Sequence, residues 1–374
     1  MEPTPSPLPS GQEVDEGRGR IFPCDQCGAD LEFHIGVQQL KCPYCGAAKE
    51  IDLGENSRVE EQDFAAAIER LKKLRESESE EPAEHSEVRC ESCGSNVLFE
   101  GTLTSTSCPY CGSPIQREKV HRGGFRIAVD AVLPFAIEYK AAQRKLQEWV
   151  DSRWFAPNDF KKRGVHEKFH GVYLPFWTYD SMTFTRYRGE RGENYTVTVG
   201  TGKNRRTETR TRWYPASGQF QRFFDDVVVN ATQNLPVKHI DALEPWPLKD
   251  CQPFDQRFLA GHFARTYDIE LPDGFLIAKG RVEQALRRDC ERRIGGDKQR
   301  IHEMQVRYDA ITFKHLLMPV WMLAYQYKGK PYRVFVNAVT GEVQGDRPYS
   351  WIKITLAILF GLATVGTIAA ITQS

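Results

Sequence analysis

Eight of the ten cysteines in this 374-residue chain fall into two quartets. Cys24-Asp25-Gln26-Cys27 is answered by Cys42-Pro43-Tyr44-Cys45, and Cys90-Glu91-Ser92-Cys93 by Cys108-Pro109-Tyr110-Cys111, each with a fourteen-residue insert between its pairs. A Cys-x-x-Cys knuckle turns two thiolates to one side of a tight turn. Two facing knuckles supply the four soft ligands of a closed tetrahedral zinc site. Gly28, Gly46, Gly94 and Gly112 follow the pairs and suit the left-handed backbone such turns need. Disulfides or a redox pair are the alternatives, and two evenly spaced quartets favour metal. The expectation is two structural zinc ions. A shell of four thiolates has no open position, so it holds a fold together and does not activate water.

No other chemistry stands out. The chain has no nucleophile elbow, no His-Glu-x-x-His and no complete phosphate loop. Gly200-Thr201-Gly202-Lys203 lacks the earlier glycine and the following Ser or Thr, and reads as a hairpin turn. Cys251 and Cys290 lie far apart and read as buried or free thiols. A non-enzymatic protein is expected.

Net charge is zero, but the balance is split. Residues 1–120 carry 12 Lys and Arg against 23 Asp and Glu, leaving 38 against 27 for the rest. The ribbons therefore lack the basic footprint of a nucleic-acid reader and suit protein contact. Thiolate metal sites imply a reducing compartment.

In order, residues 1–20 form a Pro-rich disordered lead, 21–53 the first zinc ribbon and 54–87 a helical, then acidic, linker. In that linker Phe64, Ile68 and Leu71 make one apolar helical stripe, which either packs on its own protein or binds a partner. Residues 88–116 form the second ribbon, and 120–348 a mixed α+β body with an antiparallel sheet. Within the body, Tyr139 to Ser152 reads as a helix burying Ala142, Leu146, Trp149 and Val150. Gly274 to Gly295 reads as a longer helix with Val282, Ala285, Leu286 and Cys290 inward. The aromatic strand 171–180 shares a Leu/Met-Pro-x-Trp pattern with 316–325.

Between these strands lies a hairpin region rich in arginine: Arg186, Arg188, Arg205, Arg206, Arg210 and Arg212 are its candidate anion or nucleic-acid contacts. Ile354 to Thr372 run without a charge, the length of a bilayer core, so a transmembrane helix is expected over 352–372. Trp351 and Lys353 would anchor it at the interface, and Ala357 with Gly361 would offer a small-residue face for self-association. This predicts a single-pass membrane protein with its body on the cytoplasmic side. The fold class expected is multidomain: two small β zinc ribbons, the α+β body and one C-terminal span.

The tandem Cys-x-x-Cys-Gly ribbons, the segment Gly171-Val172-Tyr173-Leu174-Pro175-Phe176-Trp177-Thr178-Tyr179-Asp180 and the closing Val334-Phe335-Val336-Asn337-Ala338-Val339-Thr340-Gly341-Glu342-Val343 resemble a bacterial family of tandem zinc-ribbon membrane proteins. Its members are often labelled primosomal-helicase-like, and some accompany phage-shock-type membrane stress systems. The likeness covers Ile21 to Asp346, and the last strand pair is also similar to that of the PepSY domain. The chain carries no helicase motor motifs. The C-terminal anchor, the acidic ribbons and the basic body point to a tail-anchored adaptor that docks protein partners at the membrane, as in envelope-stress scaffolds. The alternative is a membrane-tethered nucleic-acid binder using the 186–212 hairpin.

Overall fold

The computed structural model describes residues 22–54, 58–76, 86–89, 96–98, 105–107, 114–116, 120–122, 127–157, 170–200, 205–233, 235–327 and 330–373. The first cysteine region holds a small sheet of β1 (Glu32–His34), β2 (Gln39–Lys41) and β3 (Ala48–Lys49). Strand β4 (Gln62–Asp63) and helix α1 (Phe64–Glu76) follow. Five short strands come next: β5 (Ser86–Arg89), β6 (Asn96–Leu98), β7 (Ser105–Ser107), β8 (Pro114–Gln116) and β9 (Val120–Arg122). Cys90, Cys93, Cys108 and Cys111 of the second quartet lie outside the described residues.

The body begins with β10 (Ala131–Val132) and α2 (Tyr139–Asp151), then reaches two very long strands, β11 (His170–Val199) and β12 (Arg206–Asn230). After α3 (Val237–Asp241), β13 (Gln252–Pro253) and β14 (Phe263–Ala264) comes α4 (Leu271–Ile294), which precedes a third long strand, β15 (Lys298–Tyr327). Strands β16 (Lys330–Asn337) and β17 (Val343–Gly345) and helix α5 (Trp351–Gln373) complete the order. Strands β12, β11 and β15 lie side by side and antiparallel, and six short strands extend their edges into a nine-stranded sheet.

This architecture corrects the expected α+β balance. The body is mostly a curled antiparallel sheet with few helices, because strands of 25 to 30 residues take up much of the chain that was read as mixed. Three register shifts, at Tyr179/Ser181, Asp180/Met182 and Arg188/Gly189, bend strands that would otherwise run straight.

The two proline motifs prove to be neighbours. Leu174 pairs with Met318, and Tyr173 with Pro319, at the centre of the β11–β15 ladder. Each proline marks a handover between edge partners. Pro175 falls between the stretch of β11 paired to β14 and the stretch paired to β12, and Pro319 between the parts of β15 paired to β10 and to β16. The missing N–H of proline thus lies in a gap of the ladder, which is how a long central strand tolerates it.

Helix α4 covers one face of the long strands, burying Leu271, Phe275, Ala278, Val282, Leu286, Cys290 and Ile294 at the 3.6-residue period. Trp177 Nε1 donates to the Ile269 carbonyl and Tyr179 Oη to that of Leu271, both at 2.8 Å, so the helix start is pinned to β11. Gly274 permits that approach: a Cβ there would sit 2.8 Å from Trp177 Cδ1. The helix ends at Gly295, whose φ of 68° suits glycine. On the same face α1 docks through Phe64, whose ring lies 4.8 Å from that of Phe275 and 6.3 Å from that of Tyr179. The apolar stripe of the linker therefore packs on its own sheet. Helix α2 buries Ala142, Leu146 and Val150 at the other end of the body.

The expected membrane span is also corrected. Among the described residues, no helix is long and apolar enough to cross a membrane. The first turn of α5 belongs to the body: Lys353 Nζ donates to the carbonyls of Ala156 at 2.8 Å and Trp154 at 3.3 Å, and the Ser350 N–H to that of Phe155 at 2.8 Å. The anchored localisation, with the body on one side of a bilayer, falls with the span.

Candidate metal centre

The first quartet closes as its spacing requires. One Sγ from each of Cys24, Cys27, Cys42 and Cys45 lies within 4.8 Å of all the others, and the cross-knuckle pairs Cys24–Cys45 and Cys27–Cys42 are 3.5 Å apart. A tetrahedral ion with bonds of about 2.3 Å sets its sulfurs about 3.8 Å apart, so the four thiolates fit one metal ion. Among the described residues this is the one cluster of such ligands close enough to hold a metal.

Both knuckles are built alike. The Gly28 N–H donates to the Cys24 carbonyl at 2.8 Å and that of Gly46 to the Cys42 carbonyl at 3.1 Å, with φ of 70° and 77° at the two glycines. The Cys24 and Cys42 N–H groups return to the carbonyls of Ala29 and Ala47 at 2.7 and 2.8 Å. These turns aim backbone donors at sulfur. The N–H of Cys45, aided by that of Tyr44, lowers the Cys42 thiol to about 6 against the opposing effect of burial. The Cys27 and Gln26 N–H groups lower Cys24. Cys45 goes the other way, to about 12: the Ala47 N–H pulls it down, but hydrogen bonds shared with Cys24 and the other cysteines, together with burial, outweigh that pull. Holding all four as thiolates at this range needs a cation, which is what a metal would supply.

The site is built into the body. Cys24 and Cys42 are buried in one hydrophobic cluster with Leu31, Phe33 and Leu40 of the ribbon and with Phe135, Leu146, Tyr173, Phe258 and Trp321 of the body. The Phe33 N–H donates to the Ala260 carbonyl at 3.0 Å, and Gln38 Nε2 to that of Phe135 at 2.9 Å. Arg257, held bidentately by Asp255, donates to the Asp52 carbonyl at 2.7 Å. The opposite side is open: Cys27 and Cys45 are exposed, and Tyr44 is 82% exposed.

The candidate arginines do not gather into one patch. Arg186 pairs across the ladder with Gln219 and Arg188 with Ser217, whereas Arg206, Arg210 and Arg212 lie opposite Val199, Tyr195 and Glu193. Strand alternation sends the even positions of β11 and the even positions of β12 to opposite faces. Arg186 and Arg188 are therefore on one side and Arg206, Arg210 and Arg212 on the other, with Arg205 at the exposed entry to β12. Of the residues expected at a membrane interface, Trp351, Ala357 and Gly361 lie on exposed parts of α5, while Lys353 is tied to the body as described.

A second polar constellation was not foreseen. Asp180, only 1% exposed, accepts from the Asp226 N–H at 2.5 Å and has Thr312 Oγ1 at 3.3 Å. Lys314 Nζ lies 2.8 Å from Asp226 and 3.3 Å from Glu61, and Thr312 Oγ1 donates to Glu61 at 2.8 Å. Burial, with the neighbouring Glu61, pushes Asp180 up to about 6 despite the Asp226 N–H and Lys314. The cluster sits where β11 shifts register against both neighbours. Non-glycine residues with φ of 49° stand at both shifts, Asp226 on β12 and Ala310 on β15. Its chemistry is that of an ionic lock holding the Glu61 segment on the sheet. Four charged residues dispersed over positions 61, 180, 226 and 314 leave no pattern in a sequence; only the bulges bring them together.

No family model matches the chain, and no solved structure matches it. It is similar to an uncharacterized protein, YdjG of Bacillus subtilis (strain 168), at 24% identity over 334 residues, which cover 89% of this chain and 91% of that one. That relative carries no activity to transfer, so function is argued from the site.

Proposed function

We propose that this chain is a non-enzymatic docking protein in which two structural zinc ions hold paired ribbons as contact modules for protein partners. The observation that carries the reading is the closed set of four thiolates: with four sulfurs around one ion there is no open position for water or substrate. A tetrahedral sulfur set with N–H donors aimed at it suits zinc. In this reading Cys90, Cys93, Cys108 and Cys111 repeat the spacing and take the second ion.

The docking side is the one turned away from the body. Tyr44 beside Cys45 and Val37 at the β1–β2 turn are exposed apolar groups on a module whose other side is buried. Rigid presentation favours binding because little ordering entropy remains to be lost. The resemblance to tandem-ribbon proteins of stress systems is consistent with that role.

The test is a photo-crosslinking amino acid at position 44 in the full chain. The reading expects discrete protein adducts that survive nuclease and vanish with Cys42→Ser. Adducts to nucleic acid alone, or none, would overturn it.

A further inference from the structure

We propose that the face of the β11–β12 arm lying beyond the end of α4 is a track for single-stranded nucleic acid, made by Arg191, Tyr195, Arg206, Arg210, Arg212 and Tyr214. The register fixes this set. Arg191 pairs with Tyr214, Glu193 with Arg212 and Tyr195 with Arg210, so odd positions of β11 and even positions of β12 share a face. Nearer the body that face is covered by α4, where Tyr187 packs with Cys290 and Ile294. The helix stops at Ile294, Gly296 rests against Arg191, and past that point no helix among the described residues covers the face.

Two tyrosine rings lie among its four guanidinium groups. The Arg191 guanidinium lies 5.8 Å from the centre of the Tyr214 ring, and that of Arg212 lies 5.2 Å from the centre of Tyr195. Tyr195 is 40% and Tyr214 36% exposed, enough to offer ring surface to a base. Residues 186–214 contain eight Lys and Arg against three Glu. Glu190 is on the opposite face, near Arg300 and His302. Glu193 pairs with Arg191 at 2.9 Å, and Glu208 with Arg206 at 2.8 Å and with Arg210 at 3.5 Å, but exposed pairs of this kind contribute at most about 1 kcal/mol, so phosphate can displace them.

The interleaving selects the ligand. Arginines alone would suit any polyanion, whereas exposed aromatic rings between them add stacking, which every base accepts whatever the sequence. From Tyr214 to Arg206 the strand runs about 26 Å, room for a few nucleotides. A duplex would present phosphates but no free base faces. The track is independent of the metal centre, and it uses none of the ribbon surface assigned to protein contact.

The experiment is fluorescence anisotropy of a labelled oligothymidine of ~20 nucleotides with the full chain, at about 50 and about 200 mM salt. Arg210→Ala/Arg212→Ala should weaken binding at least ~10-fold and lower the salt slope by roughly 1.4, two phosphate contacts' worth. Tyr195→Ala should weaken it roughly 10-fold. The opposite-face pair Arg186→Ala/Arg188→Ala should stay within about twofold of the parent. These positions are exposed, and unchanged thermal unfolding of each variant will show that the fold persists. Equal losses from the two arginine pairs would reduce the effect to bulk charge and overturn the track. So would absence of binding at the lower salt, or displacement of the oligonucleotide by polyglutamate at equal charge, which would mark an acidic protein as the ligand.

Discussion

The backbone N–H of Phe33 donates to the carbonyl of Ala260 at 3.0 Å, joining the strand between the two cysteine knuckles to the sheet body 227 residues further on. The rings of Phe33 and Phe258 meet at 5.5 Å over the same contact. A ribbon read from sequence as a self-contained module is thus one wall of a core that includes Phe135, Tyr173 and Trp321. Cys42→Ser should loosen that wall beyond the ribbon. Hydrogen exchange will show it: protection should fall at least ~10-fold in peptides spanning 131–135 and 258–264 as well as in 22–49. Opening confined to 22–49 would mean that the joint carries no energy.

Two glycines of α4 should respond in opposite directions. Gly274→Ala places a methyl group 2.8 Å from Trp177 Cδ1 and should destabilise by about 1–3 kcal/mol, because helix and strand must part. Gly280→Ala meets nothing within 4 Å and should stabilise by about 0.5–1 kcal/mol through the smaller conformational entropy of the unfolded chain. Urea midpoints of the two variants are the check, and a shift of the same sign in both would refute the close approach.

Asp180 sets a pH dependence whose sign follows from its surroundings. Its carboxyl, raised to about 6 in the fold, binds a proton more tightly there than in the unfolded chain. Its contribution is therefore fully present below the unfolded value near 4 and declines as pH rises to about 6. Glu61 is shifted the opposite way: hydrogen bonds with Asp180 and Thr312, and the Lys314 ammonium, hold it below its usual value against burial, and its contribution is lost at lower pH. Asp180→Asn keeps the acceptor for the Asp226 N–H and removes the titration. Stability of the variant relative to the parent should rise between pH 4.5 and 7 in denaturant titrations. A constant difference across that range would show that the carboxyl does not titrate in the fold.

Much of this was legible in the sequence where one local rule decides. Cysteine spacing gave the four ligands because a knuckle is a turn of fixed length, and the helical period gave α2 and α4 because each buries one stripe. Length and pairing were not legible. Nothing in the alternation of 183–199 or 206–224 says that these runs continue the buried strands 170–182 and 225–230 without a break, so the sheet was underestimated. The arginines looked like one patch because sequence distance hides the face on which a side chain lies, and register alone separates Arg188 from Arg210. The apolar run after Trp351 followed hydropathy, while the ties of Lys353 to the carbonyls of Trp154 and Ala156 are tertiary and invisible to it. The Asp180 lock depends on two bulges that no residue type announces.

The central claim is that thiolates hold structural zinc, and metal content tests it most directly. Purified under reducing conditions without added metal, the full chain should carry two zinc ions by mass spectrometry, Cys42→Ser one, and Cys42→Ser/Cys108→Ser none. Chelation should lower the thermal midpoint by several degrees, on the order of 2 kcal/mol for a body of this size. A parent chain free of zinc whose eight quartet thiols all react with a thiol reagent, with an unchanged midpoint, would contradict the account.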